Sequence, residues 1–139
     1  MRIRFPLLGL PVALAFPFVC LAQEGSTQPA LNAAKAWLAL TDSGQYASSW
    51  DSAAEFFKAS VTKATWSSAS TSARSPLGTL KSRKLKSAMF TRNVPGAPAG
   101  EYVVIQYETH FENKASAIET ITPMQEKDGT WKVCGYYIK

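Results

Sequence analysis

Apolar residues recur at steps of three and four positions up to about residue 75, and at steps of two from residue 81 onwards. The first spacing is that of an α-helix with one buried side, and the second is that of a β-strand. The hydrophobic pattern therefore predicts an α+β domain in which the helices come first and the strands follow.

The first half of the chain predicts about three helices. The stretch "PALNAAKAWLAL" carries one broad apolar face, and Gly44 interrupts the pattern after it. A second helix is predicted over "YASSWDSAAEFFKASV", with Trp50 and Phe57 on its apolar side. A third helix, over the Ser- and Ala-rich stretch that follows, should begin after a cap at Thr62 and end at Pro76.

The second half predicts four strands at about 82–93, 101–112, 115–126 and 130–138. They are joined by "VPGAPAG", by a turn at Asn113-Lys114, and by Asp128-Gly129. An Asp-Gly pair between alternating runs is a strong hairpin signal. Such short joins make an antiparallel meander, so we expect the helices to pack on one face of a curved four-stranded sheet.

The turns also predict how the strands align. If the second and third strands turn at Asn113-Lys114, Glu108 falls opposite Glu119. If the third and fourth strands turn at the Asp-Gly pair, Ile121 pairs with Tyr136. The side chains then predicted to face the helices are Val103, Ile105, Tyr107, Phe111, Ile118, Thr122, Met124, Val133 and Tyr137.

The opposite, open face of the predicted sheet mixes apolar and ionisable side chains: Tyr102, Val104, Gln106, Glu108, His110, Glu119, Ile121, Cys134, Tyr136 and Ile138. A face that only meets water would not need so many apolar groups. We therefore expect a binding or interaction surface, for a small apolar or amphipathic ligand or for a homodimer. The residues predicted to form it are Tyr102, Val104, Gln106, Glu108, Ile121, Tyr136 and Ile138.

The single histidine, His110, belongs to the one candidate acid–base cluster, together with Glu108 and Glu119. Opposed carboxylates with a nearby histidine are the groups that an isomerase or hydrolase would use. The alternative function is therefore a small acid–base enzyme with its site in the sheet concavity. The simpler interpretation is a solvated hairpin tip, with Lys84 and Lys86 of the first strand on the side from which they could neutralise it. On that interpretation no catalytic residue is predicted, and His110 is a polar rim residue.

Other classes of site find little support. Phosphate loops, dinucleotide fingerprints and Gly-x-Ser-x-Gly motifs are absent from the sequence, so no cofactor is predicted. One histidine with two carboxylates is a poor ligand set, so no metal is predicted either. The basic run "KSRKLKS" divides its charges between two sides of a strand and lacks stacking aromatics. It is typical of a protected edge strand, and nucleic acid is not an expected partner.

The N-terminal residues indicate export. "MRIRF" supplies two positive charges, and the apolar run after it is short and proline-rich for a membrane span. Small residues at Cys20 and Ala22 suit a signal peptidase, which predicts a signal peptide over residues 1–22. A single domain would then occupy residues 23–139, in the periplasm or secreted. A lipoprotein anchored at Cys20 is less expected, because Val19 stands where a small residue is usual; no later segment predicts a transmembrane helix.

Cleavage at this site would change the charge and the cysteine content. Loss of Arg2 and Arg4 lowers the formal charge from +5 to +3, because all ten acidic residues come later in the chain. That balance is only mildly basic, which is not a nucleic-acid signature. Cys134 would remain as a single cysteine, predicted to be a buried small hydrophobe in a domain without an internal disulfide.

Five stretches carry a resemblance to a known family: "AWLALTDSGQYASSW", "VTKATW", "SPLGTLKSRKLKSA", "PGAPAGEYVVIQYETHFENKASAIETI" and "DGTWKVCGYYIK". Together they resemble a bacterial family known as domain of unknown function 4019. That family is similar to nuclear-transport-factor-2-like and cystatin-like folds, in which a curved antiparallel sheet wraps over helices. The resemblance implies an exported α+β protein, and it implies no catalytic residues.

Overall fold

A computed structural model describes residues 24–139 of the chain. The predicted signal peptide over residues 1–22, its cleavage site and Cys20 lie outside this range. The helices are α1 Glu24–Asp42, α2 Tyr46–Asp51, α3 Glu55–Ser60 and α4 Lys63–Arg74, followed by a 3₁₀ turn at Ser75–Leu77. The strands are β1 Leu80–Thr91, β2 Tyr102–Phe111, β3 Lys114–Gln125 and β4 Trp131–Ile138.

The strands form one open antiparallel sheet in the order β1-β2-β3-β4. The predicted α+β class and the four-stranded antiparallel meander are thus confirmed. Strands β1 and β4 are the two edges of this sheet. Across residues 24–139, none of the helices combines the length and the apolar character that a membrane crossing requires.

The main core joins α1 to the middle of the sheet. Its fully or almost fully buried side chains are Ala30, Ala34, Trp37, Leu38, Val103, Ile105, Ile121 and Val133. The four α1 residues recur at helical spacing, as the apolar pattern predicted, and the two alanines let the helix backbone come close to the strands. The Trp37 indole N–H donates to the Ser49 carbonyl oxygen at 2.8 Å, which fixes α2 beside α1.

The predicted second helix is in fact two short helices. The chain is extended at Ala54 (φ −61°, ψ 151°), between α2 and α3. The N–H of Ala54 donates to the Val133 carbonyl oxygen of β4 at 2.8 Å. Alanine favours helix locally, so the break follows from this bond to the sheet edge and not from the local sequence. The prediction of one continuous helix was wrong for this reason.

A second, smaller cluster buries one end of the sheet face that was predicted to be open. Ala54, Tyr102 and Met124 are its buried members, with Phe56, Val94, Ala97 and Cys134 packed against them. The Tyr102 hydroxyl donates to the Pro98 carbonyl oxygen in the β1–β2 loop. This loop and α3 therefore cover that end of the face.

The β2–β3 alignment differs from the predicted one by a single residue. Phe111 pairs with Lys114, so Glu112 and Asn113 are the central turn residues. An irregularity between Thr109 and Phe111 then changes the register by one residue, so Glu108 lies opposite Ile118 and Glu119 lies opposite Tyr107. Because side chains alternate along a strand, this shift moves the β3 side chains to the other face of the sheet. The predicted β3 faces were therefore wrong, and Ile118 and Thr122 do not face the helices.

The turn position has a tertiary cause. The backbone N–H of Asn113 donates to the Leu77 carbonyl oxygen at 2.9 Å, and that of Glu112 donates to the Thr79 carbonyl oxygen at 2.8 Å. The Asn113 side-chain amide also donates to the Pro76 carbonyl oxygen at 3.1 Å. The segment after α4 therefore anchors the hairpin tip and sets the position of the turn.

The β3–β4 alignment was predicted correctly at Ile121, which pairs with Tyr136, and the next pair is Thr122 with Gly135. An irregularity after Thr122 then shifts the pairing, so that Pro123 lies opposite Val133. As a result, both Val133 and Tyr136 contact the helix-side core. Ile121 and Tyr136 thus lie on the helix side of the sheet, and their assignment to the open face was wrong.

Candidate functional site

Four charged side chains from four different elements meet beneath α1 and α4. Asp42 ends α1, Arg74 ends α4, Arg83 lies on β1 and Glu119 lies on β3. Arg83 binds Asp42 through Nη1–Oδ2 at 2.7 Å and Nη2–Oδ1 at 2.9 Å, and Glu119 through Nε–Oε1 at 2.7 Å. Arg74 adds Nη2–Oδ1 of Asp42 at 2.8 Å. We call these four residues the buried ionic network; its formal charges cancel.

Glu119 is fully buried, with 0% of its side chain exposed. Its Oε1 accepts from Arg83 Nε and from Thr109 Oγ1, the latter at 2.6 Å. Its Oε2 accepts from Arg83 Nη2 at 3.2 Å and from the Tyr136 hydroxyl. Four donors occupy the four acceptor positions of a carboxylate. Glu119 is therefore a structural anion and has no free position for taking a proton from a substrate.

The surroundings of the network keep its charges in place. Burial disfavours the charged form of Asp42, but hydrogen bonds from Arg83 and Arg74 outweigh burial and lower the pKa of Asp42 below its usual 3.8. Burial likewise works against charged Arg83, yet its bonds to Asp42 and Glu119 raise its pKa. Burial and the Glu119 charge raise the pKa of Tyr136, so its hydroxyl stays a hydrogen-bond donor at neutral pH.

A cavity of about 460 Å³ lies between α4 and the C-terminal part of β4, next to this network. Its lining residues are Thr41, Tyr46, Trp66, Ala69, Ser70, Ala73, Arg74, Leu77, Lys114, Tyr136, Tyr137, Ile138 and Lys139. Pockets that hold small molecules usually measure roughly 300–1,000 Å³ and combine apolar walls with a few polar groups. Both features are present here.

The cavity runs along one side of α4. Trp66, Ser70 and Arg74 are four residues apart, so they lie in a row at about 6 Å intervals. The Trp66 indole N–H donates to Ser49 Oγ at 2.9 Å, and its ring packs on Phe57 with centroids 5.0 Å apart. Since these contacts fix the ring, Trp66 forms a rigid apolar wall at one end of the row, and Arg74 stands at the other.

Two polar groups of this row, Ser70 and Arg74, have incomplete hydrogen bonding among the described residues. Ser70 is 7% exposed, and its hydroxyl has no hydrogen-bond partner among the described residues. Arg74 Nη1 lies 3.4 Å from both Thr41 Oγ1 and the Tyr136 hydroxyl oxygen. These distances exceed the 2.7–3.2 Å of a good N–H···O bond. Buried polar groups are normally paired. Arg74 Nη1, with two long bonds, therefore keeps donor capacity for a polar ligand group, whereas the Ser70 hydroxyl has no accessible surface.

The acid–base cluster predicted from the sequence does not assemble. Glu108 and His110 are exposed, and they share a shallow depression of about 420 Å³ with Lys84 on the open face. Lys84 lies opposite Glu108 on β1. Glu119 lies on the other side of the sheet, inside the buried ionic network. Among residues 24–139 no group of three metal-binding side chains comes together.

The residues predicted to form a ligand or interface surface do not lie together on one surface. Tyr102 and Ile121 are fully buried at 0% exposure and cannot contact a ligand. The predicted residues that stay on the open face are Val104, Gln106 and Glu108.

Tyr136 and Ile138 line the α4–β4 cavity, which the sequence did not predict. The sequence analysis also missed Arg74 and Lys114 as lining residues. One signal was available for Arg74: it stands eight residues after Trp66, and therefore on the same apolar side of α4. A charge at such a position usually has a buried partner or a functional role.

The chain matches a protein-family model over residues 33–136, and the family is described as "Protein of unknown function (DUF4019)". The match extends from the middle of α1 to Tyr136 on β4, so it includes the whole buried ionic network. No curated protein matches the chain at a significant level.

Proposed function

Because the chain belongs to the family described as protein of unknown function (DUF4019), its function has to be argued from its own site, and we propose that it is a non-catalytic binding domain for a small amphipathic ligand. The ligand occupies the cavity between α4 and β4. The observation that carries this proposal is the preformed cavity of about 460 Å³, which has Arg74 Nη1 with only long hydrogen bonds in its lining.

The cavity supports this proposal through its rigidity. Trp66 is held by Ser49 and Phe57, and Tyr136 is held by Glu119 and by an edge contact with Trp37 at 5.2 Å between centroids. A site that is already ordered loses little side-chain entropy when a ligand binds. The lining is therefore suited to capture a ligand without rearrangement.

The state of the acid–base candidates supports binding without catalysis. A general base needs a free lone pair within reach of its substrate. Glu119 has none to spare, and Glu108 and His110 stand on the exposed side of the sheet without an orienting partner among the described hydrogen bonds. The acid–base enzyme is thus the less supported function.

We extend the proposal to the cellular setting that the N-terminal sequence predicts. The binding domain works after export and after removal of residues 1–22. A homodimer through the open sheet face, and the likeness to nuclear-transport-factor-2-like and cystatin-like folds, stay predictions.

The test uses a neutral fluorescent probe, N-phenyl-1-naphthylamine, which brightens in apolar sites. We expect saturable binding with one probe per chain. Ala73→Trp places a bulky ring at an exposed lining position of α4 and should abolish the signal. Ala64→Trp is the matched control, because Ala64 is exposed on the same helix outside the cavity. Absence of probe binding, or equal binding to both variants, contradicts the proposal.

A further inference from the structure

The cavity lining has one half-buried lysine without an ion pair among the described residues, Lys114, while the other unpaired lining lysine, Lys139, is exposed to water. The two guanidiniums and two carboxylates of the buried ionic network cancel each other. Lys114 is half-buried, lines the cavity and makes no ion pair within the described part of the chain. No Asp or Glu side chain belongs to the lining. The local balance therefore favours a ligand that brings one negative charge.

The two inner cations stand at the same end of the cavity. The Arg74 guanidinium stacks over the Phe111 ring at 5.0 Å from its centroid. Lys114 is the direct cross-strand partner of Phe111 in the β2–β3 hairpin. Arg74 and Lys114 thus flank one phenyl ring, and they leave the other end of the cavity to Trp66.

The cavity consequently has a charged end at Arg74 and Lys114 and an apolar end at Trp66. From Trp66 to Arg74 the axis of α4 rises by about 12 Å, at about 1.5 Å per residue. Ser70 lies halfway, and its hydroxyl has no accessible surface in the cavity. The length suits a medium aliphatic chain that lies on Trp66 and ends in a charged group beside Arg74.

We propose that the ligand is an amphipathic carboxylate with a single negative charge. This inference rests on the proposed binding function. The carboxylate accepts hydrogen bonds from Arg74 Nη1 and the Lys114 ammonium, and its aliphatic chain runs past Ser70 towards Trp66. Hydrogen bonds between charged groups in a partly buried site are shorter and stronger than neutral ones. A neutral amphipath of the same length leaves the Lys114 charge unbalanced and binds less tightly.

The experiment compares octanoate with 1-octanol, which differ in the head group and have the same chain length. Each competes with bound N-phenyl-1-naphthylamine. We expect octanoate to bind at least about tenfold more tightly than 1-octanol, which is about 1.4 kcal/mol. Lys114→Gln should weaken octanoate binding by about tenfold and leave 1-octanol within about twofold. Lys127→Gln, an exposed lysine in the β3–β4 turn, is the matched control and should change neither.

The outcomes distinguish failure of the carboxylate assignment from failure of the proposed binding function. The carboxylate assignment is overturned if octanoate and 1-octanol bind equally tightly, or if Lys114→Gln weakens the binding of both equally. In either case, saturable binding of the probe still supports the cavity as a binding site. Failure of both competitors to displace the bound probe also overturns the carboxylate assignment. Failure of the probe itself to bind wild-type protein removes the proposed function. Higher salt should weaken octanoate more than 1-octanol, because salt screens only the charged interaction.

Discussion

Replacing Glu119 by glutamine tests whether the buried ionic network holds the sheet to the helices. Glu119→Gln preserves the size of the side chain and removes one negative charge. The network then carries a net positive charge at a position that is 0% exposed. The new amide also brings N–H donors towards Arg83, Thr109 and Tyr136, which are donors themselves.

The size of the effect follows from burial. Removing one partner of a buried ion pair usually costs about 3–5 kcal/mol, because the other charge is left uncompensated. Arg83 keeps its two bonds to Asp42 and is 15% exposed, so we expect the lower end, about 3 kcal/mol. With a urea m-value of about 1.5 kcal/mol/M, the unfolding midpoint should fall by about 2 M.

The assay is urea unfolding followed by tryptophan fluorescence, with the midpoint and m-value fitted for each variant. Glu108→Gln is the matched control, since it makes the same substitution at an exposed position on β2, where we expect a change within about 0.5 kcal/mol. A near-neutral Glu119→Gln, or equal shifts in both variants, would refute the reasoning.

A double variant makes the test sharper. Arg83→Gln with Glu119→Gln leaves Asp42 paired with Arg74, so the formal charge of the network returns to zero. Its loss of stability should be smaller than the sum of the two single losses by about 1–3 kcal/mol. Simple additivity would mean that the two side chains contribute independently.

Three further predictions concern Asp42, the aromatic residues of the helices and the N-terminus. The pKa of Asp42 lies below 3.8 in the folded protein, so ionised Asp42 stabilises the fold fully above pH 3.8, and this contribution is lost as the pH falls through the folded pKa. Asp42→Asn should therefore flatten the dependence of the urea midpoint on pH between about pH 6 and pH 2. Phe57→Ala should cost about 3–5 kcal/mol in urea unfolding, and the half-buried Trp50 changed to Ala should cost less; a smaller loss for Phe57→Ala contradicts this. Mass spectrometry of exported protein should find Gln23 at the N-terminus, and a lipid-modified Cys20 there would contradict the predicted cleavage.

Local signals in the sequence determined the class and the order of the elements. Strand spacing and turn residues predicted the four-stranded meander, and the strand bounds agree to within a few residues. Thr62 caps α4 as predicted, with its Oγ1 accepting from the Thr65 backbone N–H at 3.2 Å. These features depend on neighbouring residues alone, so periodicity and capping rules are sufficient to predict them.

Contacts between distant segments decided the rest. The Val133 carbonyl oxygen holds Ala54 extended, and the segment after α4 sets the turn between β2 and β3 one residue earlier than the Asn-Lys pair suggested. The irregularity between Thr109 and Phe111 then places Glu119 under the helices, because a one-residue change of register moves the β3 side chains to the other face of the sheet. The cavity also depends on contacts between distant segments. Its wall at Trp66 and its cation at Lys114 are 48 positions apart in the chain. No local sequence pattern relates two residues that only the folded protein brings together.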